Sequence, residues 1–353
     1  MKNILLIMMD WSKYKTSFRV QRRNLFILCI GLLLFSCTPK QSKIFKNQNV
    51  GPALGTSYSI IYLADKELDY QREIDSVFAA VNSSMSTYIP ESDISKINKG
   101  DSTVVVDDMF QEVFQLSKEI YENTNGYFDP TVGALVNAWG FGPGKQIELD
   151  SVRLDSLMRY VGFEKVSLTS KQTIHKEHPN IHFDFNAVAK GYSIDRLAAL
   201  MNQKGIENYL LEVGGEVVAK GENVYNRRSW GVAIQDPQTE NAKISIRIKD
   251  RAMASSGNYR KFRVDSVTGA KYVHTVDPKT GFTKNGNILA VNVLAATCAE
   301  ADAYATAFMA MYLEDALSFL SNQNTLDGYI IYLDENDEAK EFMTDGFEKL
   351  IIK

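Results

Sequence analysis

Apolar residues recur along this chain at two spacings. In residues 69–85, 109–124 and 151–161 they fall three or four apart, the period of an amphipathic helix. Asn125-Gly126 stops the second of these helices. Residues 58–62, 213–219, 230–234, 244–248 and 289–293 are short apolar or alternating runs that predict strands. The polar stretch 169–180 predicts a hairpin or loop. Strands that follow one another without intervening helices point to an α+β fold, not to a doubly wound parallel sheet.

Two further segments carry candidate chemistry. Residues 181–185 predict a short strand leading into a helix near Asn186, which is a good N-cap residue. Ile194, Leu197, Ala198 and Met201 continue at helical spacing. Lys190 falls in the first turn, where a cation faces the positive end of the helix dipole. It is either an ordinary solvated lysine or, with the free N–H groups and Gly191, part of a phosphate site. Gly191 costs about 1 kcal/mol against alanine in a helix, so close backbone approach is expected there.

The second segment, Thr297-Cys298-Ala299-Glu300, has the form of a capping box. A helix is expected to begin there; the stretch that follows, 301–313, is apolar nearly all round, so the helix is expected to be buried. Asp302 and Thr306 share one face. A buried carboxylate needs a partner, either a distant Arg or Lys or a hard divalent cation such as Mg²⁺. The phosphate-type site elsewhere in the chain favours the cation.

Several blocks occur together in order: Leu54-Gly55-Thr56; Met85-Ser86-Thr87-Tyr88; Gly126-Tyr127-Phe128-Asp129-Pro130; Trp139-Gly140-Phe141-Gly142; Phe183 to Asp195; Glu212-Val213-Gly214-Gly215-Glu216; Ser255 to Arg260; and His274 to Gly281. With these blocks the chain resembles the FAD:protein FMN transferases, the ApbE flavin transferase family, over nearly all of its length after residue 50. The resemblance implies one compact ApbE-like, T-fold-like catalytic domain over 51–353, with mixed or antiparallel sheets and packed helices. It implies Mg²⁺-dependent transfer of the FMN half of FAD to a Thr or Ser hydroxyl of an acceptor protein, with AMP released. It also implies the metal ligands, Asp302 and Thr306 through their side chains and Ala187 and Ala305 through their carbonyls. Leu54, Tyr88, Tyr127, Phe128, Asp129, Asp184, Lys190 and Thr275 match FAD-contacting positions. Leu54 departs from the methionine expected there, a volume-conserving exchange.

His274 ends an expected strand before an Asp-Pro-Lys-Thr-Gly turn, and it is the candidate proton acceptor. Asp277 is placed to orient it or to bind ligand. His175, His178 and His182 read as a solvated loop, because Pro179 prevents one helical face. Gly214-Gly215 reads as a bulge or a place of close approach to ligand. Lys279-Thr280-Gly281 resembles a motif of penicillin-binding enzymes, but the Ser-x-x-Lys spacing occurs only at Ser12–Lys15, in the leader, so acyl transfer is rejected. Two alternatives stay open: a Mg²⁺-dependent FAD pyrophosphatase, and a non-catalytic FAD-binding lipoprotein.

The first 36 residues read as a lipoprotein signal peptide, with basic residues ahead of an apolar run at 25–35 that ends Leu34-Phe35-Ser36-Cys37. Cys37 is the expected lipidated residue, and 37–50 the expected tether. This places the protein on the periplasmic side of a bacterial membrane. Loss of the leader lowers the formal charge from −4 to about −9, which argues against nucleic acid as a partner. Cys298 then remains alone in the domain and reads as a small buried core residue. By the resemblance, the acceptor is a periplasm-facing protein such as a redox-pump subunit.

Overall fold

The computed structural model describes residues 43–239, 241–258, 262–264, 271–284 and 286–352. The leader, Cys37, Tyr259 and Arg260 lie outside the described residues. β1 (Phe45–Ala53) and β2 (Thr56–Ala64) are followed by α1 (Gln71–Met85), α2 (Asp93–Asn98), α3 (Asp108–Asn123), α4 (Gly133–Ala138) and α5 (Ser151–Met158). β3 (Val166–Leu168) and β4 (Ile174–Lys176) form a small hairpin before α6 (Ala189–Gln203). Then come β5 (Asn208–Val213), β6 (Glu216–Lys220), β7 (Trp230–Gln235), β8 (Ala242–Ile248), β9 (Arg251–Gly257), β10 (Phe262–Val264), β11 (Lys271–Val273) and β12 (Ile288–Ala295). After these lie α7 (Cys298–Ala310), α8 (Leu313–Ser321), β13 (Asp327–Leu333), β14 (Ala339–Met343) and α9 (Asp345–Glu348).

The main sheet has eight strands in the order β1-β2-β5-β6-β9-β12-β13-β14. Each neighbouring pair is antiparallel. The α+β expectation therefore holds. Strand alternation divides the sheet into two faces. Tyr209, Leu211 and Val213 of β5 pack with Ile194, Leu197 and Met201 of α6. Phe110 and Phe114 of α3 share the larger core with Val291 and Val293 of β12 and Phe308 of α7. The helices α1, α3, α6 and α7 thus cover one face, with α6 and α7 directly on it, while Phe347 of α9 packs against Tyr329 on the other.

The structure corrects some local expectations. Residues 181–185 do not form a strand; only His182 makes an isolated parallel bridge, to Val132. Phe183 and Phe185 are both buried, packed around Phe110 and Phe114. The main chain of Phe183 is held by the side-chain amide of Asn98, which donates to its carbonyl (2.8 Å) and accepts from its N–H (2.7 Å). The alternation of a strand is kept, with Ile181, Phe183 and Phe185 buried and His182 and Asp184 between them, but Asn98 takes the main-chain bonds of Phe183 that a neighbouring strand would have made. Asn186 is not a helix cap; α6 starts three residues later, after Val188.

The expected strand 213–219 is two strands. Gly214 and Gly215 have φ of +61° and +104° and make the two-residue turn of the β5–β6 hairpin, not a bulge. The capping box is formed, with the Thr297 hydroxyl accepting from Glu300 N–H, and α7 begins at Cys298 as expected there, but it stops at Ala310. β1 begins at Phe45, inside the stretch expected to be tether.

Candidate functional site

The N-terminus of α6 meets α7 over a cluster of buried charges. Lys190, the second residue of α6, puts its Nζ 2.7 Å from Oε1 of Glu216 at the start of β6. Glu216 is fully buried and Asp302 nearly so. The N–H of Gly191 donates to Asp302 Oδ2 at 3.0 Å. Burial raises the pKa of both carboxyls, with the Lys190 charge acting against it. Burial also works against the Lys190 ammonium, but Asp302 and Glu216 outweigh it and raise its pKa. The anions facing this first-turn lysine are therefore protein carboxylates.

The close backbone approach expected at Gly191 is present. A Cβ there would stand 2.3 Å from the Cys298 carbonyl oxygen and 2.9 Å from Ala299 N. The close approach is that of the two helix backbones. One turn along α6, Asp195 caps α7: its two oxygens accept from Cys298 and Ala299 N–H, each at 2.8 Å. Burial pushes its carboxyl up to about 6, with those two bonds acting against the shift.

Thr306 lies half-buried one turn beyond Asp302 on α7, Ala305 is buried beside it, and Ala187 is half-buried before α6. Among the described residues no three His, Cys, Asp or Glu side chains are grouped to hold a metal. A cation here needs hydroxyl and carbonyl ligands, and the four assigned groups are all oxygen donors suited to Mg²⁺. The cluster carries two carboxylates against one ammonium, and Glu216 Oε2 has no hydrogen-bond partner among the described residues. Buried negative charge in excess is costly, and a divalent cation offsets it. The residues fit such an ion.

Two further groups of expected site residues are brought together. Tyr88, exposed on the loop after α1, donates its hydroxyl to the Phe141 carbonyl (3.4 Å). Its pKa is raised, first by burial and then by the charge of Asp184. The other group surrounds the turn after β11. Lys279 Nζ sits 3.9 Å from the ring centroid of Tyr127. Thr275 donates to Asn258 Oδ1 at 3.1 Å. Asp277 accepts from Lys279 N–H (2.8 Å) and lies 3.7 Å from Lys284 Nζ. His274 follows β11 directly and is half-buried. Gly281, φ +74°, accepts from the Trp139 indole at 2.8 Å, which ties the turn to α4.

The side chains of Phe128 and Asp129 are both buried. The Phe128 side chain is part of the large core. Asp129 is buried with Oδ1 accepting from the Thr131 N–H (2.8 Å) and hydroxyl (2.6 Å). Leu54 sits at the β1–β2 turn with φ +50° and packs against the α6-side core. Glu216 and Asp195 had no assigned role in the sequence. A glutamate placed straight after Gly-Gly at a strand start, beside apolar neighbours, was the available signal for Glu216.

A sequence model of the ApbE family matches residues 54–330. The chain is 30% identical over 343 residues to a protein of Haemophilus influenzae named FAD:protein FMN transferase, covering 93% of this chain and 97% of that one. A protein of the same name from Escherichia coli K12 is 31% identical over 300 residues, covering 82% of this chain and 84% of that one. The solved structure of the flavin transferase ApbE from Vibrio cholerae superimposes with a TM-score of 0.77 at 31% identity, over 87% of this chain and 100% of that one. A Pseudomonas stutzeri structure at 24% identity and TM-score 0.75 shares the fold.

Proposed function

Because this chain belongs to the ApbE family, we propose that it is an FAD:protein FMN transferase, an enzyme that attaches the FMN half of FAD to a Thr or Ser hydroxyl of an acceptor protein and releases AMP. The observation that carries this reading is the buried cluster of Lys190, Glu216 and Asp302 beside Thr306. Cleaving a diphosphate is governed by positioning and by neutralising charge on phosphate oxygens. Lys190, fixed at the start of α6, supplies a held cation and a helix N-terminus on one side. Asp302, Thr306 and the carbonyls of Ala187 and Ala305 would hold Mg²⁺, which when bound supplies Lewis-acid charge to the phosphates. Tyr88 offers an exposed ring face for a flavin or adenine. His274, on a turn anchored through Trp139, takes the proton from the acceptor hydroxyl.

The test mixes protein, FAD and Mg²⁺ with and without a threonine-bearing acceptor domain. Covalent flavin on the acceptor supports the reading. Free FMN in both mixtures supports a pyrophosphatase, and intact FAD a binder. Export follows from the sequence around Cys37: lipidation there anchors the enzyme on the periplasmic side of the membrane. Mass spectrometry of the membrane fraction checks this, and a lipidated product from Cys37→Ser would overturn it.

A further inference from the structure

β8 determines which way the main chain of β7 points. Ile352 N–H donates to the Ser245 carbonyl and Arg247 N–H to the Leu350 carbonyl, each at 2.8 Å. Ser245 and Arg247 therefore turn their main-chain groups toward the C-terminal segment. These directions alternate along a strand, so Ile244, Ile246 and Ile248 bond toward β7, opposite Ile234, Val232 and Trp230. Gly231 and Ala233 stand opposite Arg247 and Ser245. Their N–H and C=O groups consequently point away from β8. Among the described residues β7 pairs only with β8, and neither group finds a partner on its open side. Both residues are exposed, and neither carries a bulky side chain to keep another backbone away.

This open edge borders a cavity of about 430 Å³. Residues 232 to 235 line it in succession. A cavity over the side chains of a strand meets alternate residues, whereas four in a row means that it meets the edge. The opposite wall includes Thr56, Ser255 and the Gly214-Gly215 turn, and Glu212 is the sole charged side chain among the described lining. A diphosphate placed here would meet a carboxylate and no cation. An extended peptide would meet main-chain and hydroxyl partners. The cavity lies on the face of the sheet away from α6, since Glu212 and Val217 line it while their neighbours Val213 and Glu216 face the helices. The glycine turn is the end of the sheet where the two faces meet, next to the Glu216 that holds Lys190.

We propose that the open edge of β7 docks an extended, neutral or basic segment of the acceptor protein as an added strand, with its side chains in the cavity. This rests on the transferase reading. Main-chain bonds to Gly231 and Ala233 give affinity with little demand on sequence. The Gly214-Gly215 turn, free of side chains, lets the hydroxyl-bearing residue pass toward Lys190.

The test uses the full-length protein, FAD, Mg²⁺ and a purified threonine-bearing domain that the wild type labels with covalent flavin. Ala233→Pro removes an edge N–H and no β7–β8 bond, and proline is tolerated on such an edge. Its kcat/KM for the acceptor should fall about tenfold, as expected for losing one or two hydrogen bonds, while FAD binding is unchanged. In the wild type, the acceptor should slow amide hydrogen exchange at Gly231 and Ala233; this measurement decides alone if the variant does not fold. Unchanged kcat/KM in a folded variant overturns the proposal, as does the absence of added protection at those two amides. Weakened FAD binding would assign the cavity to the nucleotide, and a changed oligomeric mass would assign the edge to a second copy; each overturns it. A wild type that labels no protein brings down the transferase reading itself, and this proposal with it.

Discussion

The ammonium of Lys190 lies 2.7 Å from a carboxylate oxygen of Glu216, a side chain with no exposure to solvent. This pair, with Asp302 on the other side, resolves the problem of a lysine at the positive end of a helix. It also makes the cluster vulnerable. Lys190→Ala leaves two buried carboxylates without their countercharge, a defect of roughly 3–5 kcal/mol. The variant should unfold at lower denaturant, should be rescued by Mg²⁺ more than the wild type, and should bind FAD about tenfold more weakly, as for a lost charge-assisted contact. Urea unfolding with and without Mg²⁺, together with FAD titration, reads all three. Wild-type stability and affinity would remove Lys190 from the site.

Asp302 is the carboxylate buried within α7. Asp302→Asn keeps the volume and an oxygen for Gly191 N–H, but not the charge. The variant should stay folded, lose covalent flavin transfer, and lose the rise in melting temperature that Mg²⁺ gives the wild type. A variant that keeps the Mg²⁺-dependent rise would place the cation elsewhere.

His274 stands on a turn separate from the Lys190 cluster, so binding and chemistry should separate. His274→Ala should bind FAD with little loss while its transfer rate at saturating FAD drops about 10²-fold, the scale of a missing general base. Loss of binding with the rate retained would make His274 a ligand contact instead.

Gly191 sits where α6 and α7 cross. In Gly191→Ala the added methyl meets the main chain of Cys298 and Ala299, which cannot swing aside as a side chain would. The variant should lose roughly 1–3 kcal/mol, the scale of overpacking. Thermal unfolding checks this, and a neutral or stabilising substitution would show that the crossing is loose.

Burial pushes the Asp129 carboxyl up from 3.8 to about 6, with the Thr131 hydrogen bonds acting against the shift. Between those two values the folded protein holds this proton more tightly than the unfolded chain does. The stabilisation is full below the unfolded pKa and is lost as pH rises through about 6. Asp129→Asn is neutral throughout and keeps an acceptor for Thr131. The stability of the variant relative to wild type should rise between about pH 4 and pH 6 and then level off. Urea unfolding across that range measures it, and a flat difference would mean that Asp129 is not buried as a charge.

Much of the fold was legible because its signals are local. The helical periods of α1, α3 and α5, the capping box of Thr297 and Glu300, the alternation in β7 and β8 and the apolar run of β12 each depend on residues a few positions apart. The same is true of Asp302 and Thr306, whose shared face follows from one helical turn. The 181–185 segment misled for the opposite reason: Phe183 and Phe185 have the composition of a strand, but Asn98, 85 residues away, takes the main-chain bonds a neighbouring strand would have made.

The sequence by itself determined most of the elements, the family and most of the chemical groups. Only the tertiary structure decided what those groups face. Gly191 answers to the backbone of Cys298, and its N–H bonds to Asp302, 111 residues away. Glu216 gains its role from the hairpin that sets it against Lys190. Periodicity tells which side of an element is apolar, but which elements meet is settled by packing over the whole chain. A charge buried in that packing must find its partner wherever the fold has placed one.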